Sequence, residues 1–200
     1  MAAQQSYGPD LLNLSARVPR TEAEGPGIRL AIWVQGCPMR CPGCCNPGLL
    51  EFREARLTAV DELVAEILAT PDIEGVTYLG GEPFAQAEAL ATLSRQLRGA
   101  GLSTMCFSGH TLRQLRSSQR EDWAGLLAEL DLLVDGPYIE RLRQTDRRWI
   151  GSSNQQVNFL TDRYSSWDEG ENTIEIHVIN GQIQVNGFPD EELLSALHAL

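Results

Sequence analysis

Two hundred residues with 42% apolar content describe a chain able to bury a sizeable core as one domain, with at most a small appendage. The formal charge of −11, from 27 acidic against 16 basic side chains, argues against a nucleic-acid backbone as main partner, because that task needs clustered Lys and Arg. No charged segment precedes an apolar stretch near the start and no apolar run is long enough to span a bilayer, so no membrane role is expected and the cytoplasm is the expected location.

Residues 1–20 read as an irregular, mostly polar extension with a short strand near Leu11–Val18. "EGPGIR" at 24–29 is a turn feeding a strand in which Ile28, Leu30, Ile32 and Val34 alternate with Ala31 and Trp33, a pattern suited to burial on both faces. The stretch "GCPMRCPGCCN" at 36–46 follows and holds four of the five cysteines. Residues 58–69 predict an amphipathic helix capped by Thr58, with Val60, Leu63, Val64, Ile67 and Leu68 on one stripe. "GVTYL" at 75–79 is a strand ending at "GGEP", and a helix over 86–98 is striped by Leu90, Leu93 and Leu97. "STMCF" at 103–107 is a strand ending at "SGH"; helices over 111–117 and 121–130 lead to "LLV" at 132–134, which ends at "DGPY". Alternation of this kind implies a parallel sheet within an α/β fold. After residue 140 the rhythm changes. Residues 149–200 read as the polar loop "WIGSSNQQ", a hairpin of "TIEIHVI" and "QIQV" turned at Asn180-Gly181, and a closing helix Asp190–Leu200. One domain over 1–200 is expected.

Four chemically loaded loops, "CPMRCPGC", "GGEP", "FSGH" and "DGPY", each follow an apolar strand. In a parallel sheet or barrel they all fall at the carboxyl edge, where active sites are built. Cys37, Cys41 and Cys44 have the spacing of one helical face, but Pro42 inside such a helix would cost about 3 kcal/mol, so the segment is a loop. In a reducing compartment, clustered thiols are metal ligands or redox groups more often than disulfides, and five cysteines leave one over in any full pairing. Three thiolates suit three corners of a [4Fe-4S] cluster with one iron left open. Cys45 is a poor fourth ligand because adjacent side chains diverge in an extended segment. The competing assignment is a closed zinc site of Cys37, Cys41 and Cys44 with Cys45 or Cys106. Glu82 offers a carboxylate to an ammonium group, unless "GGEP" is a plain strand–helix turn.

The pair Cys37-Pro-Met-Arg-Cys41-Pro-Gly-Cys44 and Gly80-Gly81-Glu82-Pro83 resembles the radical S-adenosylmethionine (SAM) superfamily. The resemblance implies a [4Fe-4S] cluster on Cys37, Cys41 and Cys44, with the open iron chelating the amino and carboxylate groups of SAM. It further implies that Gly80, Gly81, Glu82 and Pro83 hold the SAM ammonium. Reductive cleavage would then yield a 5′-deoxyadenosyl radical, and the fold would be an incomplete (β/α) barrel with a C-terminal β-hairpin. "EGPGIR", "LVDGPYIE", "WIGSSNQ" and "NGFP" extend the likeness, over about residues 11–189, to the activating enzymes of glycyl radical enzymes. The nearest resemblance is to the activases of anaerobic ribonucleoside-triphosphate reductase. That implies a glycyl radical enzyme, such as anaerobic ribonucleotide reductase, as protein substrate and a flavodoxin or ferredoxin as electron donor.

By the same resemblance Ser108 and Gly109 line the SAM pocket, although Ser108 also suits a cap for the next helix. Asp135 is placed against a ribose hydroxyl or the substrate, or in an Asp-Gly turn. Asn154, with Ser152, Ser153 and Gln155, is placed near SAM or the target segment, or in a surface loop. His110 reads as an exposed helix-start residue. Gly43 stands where many members carry an aromatic residue, and Cys45, where the subgroup often has an aromatic or histidine, reads as packing. Rival functions are a radical SAM enzyme acting on a small molecule, as in deazaguanine synthesis, one acting on a peptide, and a zinc or Fe–S binding module.

Overall fold

A computed structural model describes residues 7–166, 170–179 and 182–198. Its centre is a sheet of seven strands in the order β3-β1-β2-β4-β5-β6-β7. These are β1 (Leu11–Thr21), β2 (Arg29–Val34), β3 (Arg56–Ala59), β4 (Gly75–Gly80), β5 (Ser103–Ser108), β6 (Leu132–Asp135) and β7 (Gln156–Phe159). β2, β4, β5 and β6 run parallel, while β1 pairs antiparallel with both β2 and β3, and β7 antiparallel with β6. Helices α1 (Val60–Ala69), α2 (Ala87–Gly99), α3 (Leu112–Ser117) and α4 (Glu121–Glu129) occupy the crossovers. A separate ribbon, β8 (Glu175–Ile179) with β9 (Gln182–Asn186), and helix α5 (Glu191–His198) follow.

The period-two register sorts the strand residues into two cores. Ile32, Tyr78, Cys106 and Leu133 form one row across the four parallel strands, and they pack with Leu63 and Ile67 of α1, Leu90, Leu93 and Leu97 of α2, and Leu126 of α4. Each fully buried aliphatic side chain contributes about 1.5–3 kcal/mol. The neighbouring row, Ala31, Thr77, Met105 and Leu132, faces the other way, where Trp149, Ile150 and Tyr164 cover its far end. Helices thus cover one face, and irregular segments close over the other.

Several expectations change. The short strand expected near Leu11–Val18 is present and longer, β1 running to Thr21, and Leu12 and Leu14 join the helix-side core and Val18 the opposite one. Thr58 lies in β3 and caps nothing; Ala59 is the N-cap of α1, without a side-chain bond. Leu68 is half exposed instead of sharing the stripe of Leu63 and Ile67. Within the loop-and-hairpin tail, residues 156–159 add β7 to the main sheet. β8 and β9 pair as expected, but the Asn180-Gly181 turn and the last two residues of the terminal helix lie outside the described residues. The sheet is mixed and open, with β3 and β7 at its edges. No helix among the described residues is long and apolar enough to cross a membrane.

One buried charge sits at the amino edge. The Arg29 side chain is fully buried, and its guanidinium donates to Thr77 Oγ1 at 2.7 Å, Ser103 Oγ at 2.8 Å and the Val76 carbonyl at 2.8 Å. A Cβ on Gly25 would lie 2.4 Å from Arg29 Cδ, so the glycine of "EGPGIR" makes room for this side chain.

Candidate functional site

Because β2, β4, β5 and β6 are parallel neighbours, the four loops singled out in the sequence leave the same edge of the sheet. They meet at a cavity of about 320 Å³ lined by Cys37, Cys41 and Cys44, by Gly80, Gly81 and Glu82, and by Ser108 and Gly109. A larger, more open groove of about 700 Å³ lies beside Cys45 and β1, and it reaches none of the other four cysteines.

Contact between the first two loops explains their glycines. Gly81 N donates to Val34 O at 2.8 Å and Glu82 N to Gly36 O at 2.9 Å. A Cβ on Gly81 would lie 2.2 Å from Gly36 O, so no larger residue allows this approach. The left-handed φ of +48° at Arg40 then helps turn the chain back between Cys37 and Cys41.

The sulfurs are met by backbone donors. Cys37 receives hydrogen bonds from the N–H groups of Met39 and Arg40, Cys41 from that of Tyr138, and Cys44 from Asn46 N at 3.4 Å. Burial nevertheless pushes the Cys37 thiol up to about 11 and raises Cys41, whereas a hydrogen bond from Cys45 brings Cys44 down to about 6. A bound metal centre deprotonates such thiols outright, and N–H groups aimed at sulfur are a standard control on the potential of an iron–sulfur cluster. Of the four thiols around the cavity, Cys37, Cys41 and Cys44 each have an N–H donor from another residue, and these three fit a [4Fe-4S] cluster. Among the described residues, no three His, Cys, Asp or Glu side chains converge closely enough for a single ion.

Of the two remaining thiols, Cys45 also borders the cavity, beside Cys44, and Cys106 stands apart. Cys106 is in the helix-side core on the opposite face of the sheet, and its S–H donates to Phe107 O. Cys45 is exposed. Its packing role, expected from the sequence, reduces to bonds with Cys44 and Asn46.

Glu82 is almost completely buried, with Oε1 accepting from Phe84 N and Ser108 Oγ and Oε2 from Gly109 N, all at 2.9 Å. Burial raises its pKa to about 7 against the opposing effect of these three donors. A carboxylate offers about four lone-pair sites, so one acceptor position remains for a ligand. Ser108 does not cap the next helix; Thr111 does, in a capping box with Gln114.

Other sequence-predicted residues are placed differently. The Asp135 carboxylate accepts from Leu112 N at the start of α3, and neither it, Pro83 nor Asn154 is among the lining residues. Asn154 Nδ2 donates to Pro137 O at 2.8 Å, Ser152 Oγ accepts from Ile139 N at 3.1 Å, and exposed Ser153 donates its N–H to Leu142 O, so this loop is tied to "DGPY". Its neighbours Gly151 and Gln155 do line the cavity. His110 is packed against the Trp123 ring, with centroids 4.4 Å apart, instead of standing free at a helix start. Gly43 has φ +70°, a left-handed backbone conformation in which an aromatic side chain would be strained.

Sequence reasoning missed Glu24, Trp33, Phe107, Trp149 and Phe188 as cavity residues. Trp33 and Phe107 carried a signal, since each is the outward-alternating residue near the carboxyl end of a parallel strand. Glu24 and Phe188 stood within quoted motifs, "EGPGIR" and "NGFP", to which no role was given.

Comparison with known proteins gives a consistent grouping. The family described as a 4Fe-4S single cluster domain matches residues 23–158. The anaerobic ribonucleoside-triphosphate reductase-activating protein of Vibrio cholerae is 30% identical over 161 residues, 75% of this chain and 99% of that protein. Its counterpart in Escherichia coli K12 is 26% identical over 157 residues, covering 74% and 99%. A pyruvate formate-lyase-activating enzyme of Staphylococcus epidermidis is 41% identical over 87 residues, 40% of this chain and 35% of that one.

Proposed function

This chain belongs to the family of 4Fe-4S single cluster domains, and on that premise we propose that it is a radical SAM activase that installs a radical on a glycine of a partner enzyme. Its cofactors are a [4Fe-4S] cluster and SAM. The observation that carries the reading is one cavity shared by Cys37, Cys41, Cys44 and the carboxylate of Glu82.

The chemistry a cluster and SAM would supply here is one-electron reduction that cleaves the sulfonium C5′–S bond. The chain supplies the rest. Cys37, Cys41 and Cys44 would hold a cluster by three of its irons and leave the fourth for the amino-acid end of SAM. The close packing of Gly81 on Gly36 would let the backbone of the second loop approach that end, and Glu82 would accept from the SAM ammonium with its remaining lone pair. Ser108 and Gly109 fix the carboxylate's orientation through their bonds to its two oxygens. Trp33, Phe107 and Trp149 provide apolar walls that exclude water from a reactive radical.

The sheet, with helices on one face and the cavity at its carboxyl edge, is read as the wall of an incomplete (β/α) barrel, one domain over 1–200. The partner is a glycyl radical reductase of the kind named for the relatives, the electron donor a flavodoxin or ferredoxin, and the setting the cytoplasm, where free thiols persist.

The test is anaerobic. A reconstituted protein given SAM and dithionite should release 5′-deoxyadenosine, and adding an anaerobic ribonucleotide reductase should produce a glycyl doublet in electron paramagnetic resonance. No cleavage from protein with a full iron complement overturns the enzyme reading. A radical product on a small metabolite, with none on the reductase, replaces the activase with a small-molecule enzyme.

A further inference from the structure

Three sides of the cavity are strand ends and loops locked to the main sheet. The remaining side comes from the C-terminal region, where Gly187, Phe188 and Pro189 after β9 join Asn172 and Val185 in the lining. This segment is not anchored in the seven-stranded sheet. β8 and β9 form their own ribbon, whose Glu175 carboxylate accepts from Thr21 Oγ1 at 2.5 Å and Glu22 N at 2.7 Å.

The segment is held as a bound peptide is held, by side chains on its backbone groups and by a pocket for one side chain. Gly187 N donates to Glu24 Oε1 at 2.9 Å. Asn172 Nδ2 donates to Phe188 O at 2.9 Å and Arg143 Nη2 to Pro189 O at 2.5 Å. The Phe188 ring lies in a slot, with the Arg143 guanidinium 4.3 Å from its centroid and the Tyr138 ring 6.0 Å away. Gly151 closes the slot; a Cβ there would lie 3.2 Å from the ring. Gly187 has φ +89°, and a Cβ would come 2.4 Å from Thr173 O, so the position accepts glycine alone. Tyr138 also bonds the Cys41 sulfur through its backbone N–H, which ties the slot to the cysteine loop.

Space makes the second half of the argument. A cavity of about 320 Å³ is at the low end of what one drug-sized ligand requires. With cluster and nucleotide inside, an incoming polypeptide has no room while this segment stays.

On the reading that the target is a glycine in another protein, we propose that Val185–Pro189 occupies the seat of that target, an internal copy of the substrate that the partner's chain displaces. The site it marks takes an extended segment with a glycine followed directly by an aromatic residue. The aromatic side chain enters the slot of Tyr138, Arg143 and Gly151, which places the glycine beside the cysteine loop. The ribbon swings aside by giving up the Glu175 bonds to Thr21 and Glu22, with the strand pairings of the main sheet intact.

The probe is a fluorescein-labelled peptide, Ile-Gln-Val-Asn-Gly-Phe-Pro-Asp, the sequence of residues 183–190, followed by anisotropy on the full reconstituted chain. Emptying the slot with Phe188→Ala should tighten peptide binding about tenfold over wild type, because the competent state no longer competes with the chain's own segment. Gly187→Ala, which forces the segment out by its clash with Thr173, should give the same gain. A peptide with Ala for Phe should bind the Phe188→Ala protein about tenfold more weakly than the parent peptide. Equal binding to wild type and both variants, or equal binding of the two peptides, overturns the proposal. SAM cleavage by dithionite in the same wild-type preparation is scored separately. Its loss counts against the activase reading, whereas cleavage without peptide discrimination counts against the internal copy alone.

Discussion

At the amino edge of the parallel strands, all three guanidinium nitrogens of Arg29 have partners, among them the Thr77 and Ser103 side chains and the carbonyls of Pro26 and Val76. At the carboxyl edge of the same strands, Glu82 is as deeply buried, yet its three bonds leave one acceptor position, and it borders a cavity shared with Cys37, Cys41 and Cys44. Both groups carry desolvation: burial lowers the Arg29 pKa and raises that of Glu82. The difference is spare capacity. A buried ion whose bonding is complete holds strands together, whereas a buried ion with a position left over beside a cavity is built to receive something.

The largest effect should separate the two ends cleanly. Cys41→Ala should abolish the cluster absorbance and SAM cleavage together while the circular dichroism and melting of the apo protein stay near wild type. Arg29→Met should do the reverse at the amino edge. It orphans several buried acceptors and should remove about 3 kcal/mol of stability by urea unfolding. Loss of fold in Cys41→Ala, or an unchanged melt in Arg29→Met, would break the comparison.

Glu82→Gln sharpens it. The amide turns an NH₂ toward one of the three donors, so about 10- to 100-fold of SAM cleavage should be lost while iron content is retained. Equal rates would show that the carboxylate only joins two loops.

Much of this contrast was legible in the sequence, for physical reasons. Cys37, Cys41, Cys44 and the Gly80–Glu82 run follow parallel strands directly, so chain order alone brings them to one edge. Arg29 was not legible as a buried ion, because its partners come from β4, β5 and the segment around Tyr164, far apart in the chain. Asp135 and Asn154 have residue types that suit a ligand; Asp135 accepts from Leu112 N and Asn154 Nδ2 donates to Pro137 O, contacts that no local pattern encodes, while the buried Asn154 Oδ1 has no partner among the described residues. Thr58 stood two residues before Val60, the first residue of an apolar stripe, and looked like a cap; pairing with β1 made it strand instead.

A smaller effect tests Glu24, where burial, set against the Gly187 N–H and reinforced by Glu175, raises the pKa from 4.5 to about 7. For a carboxyl whose folded pKa is raised, the stabilising contribution is full below its ordinary value and is lost as pH rises through the folded one. The apo protein's melting temperature should therefore decline across pH 4.5–7, and Glu24→Gln, which still accepts from Gly187 N, should flatten that decline. The smallest expected effect is Cys45→Ala, which should leave iron content and cleavage near wild type, since among the described residues this thiol bonds to its neighbours Cys44 and Asn46.

The central claim is an iron that three cysteines leave free for the amino-acid end of SAM. Electron–nuclear double resonance on the reduced cluster, with SAM carrying ¹⁵N in its amino group and ¹⁷O in its carboxylate, measures this directly. Both labels should show hyperfine coupling to the cluster. No coupling from either label in protein saturated with SAM would contradict the account.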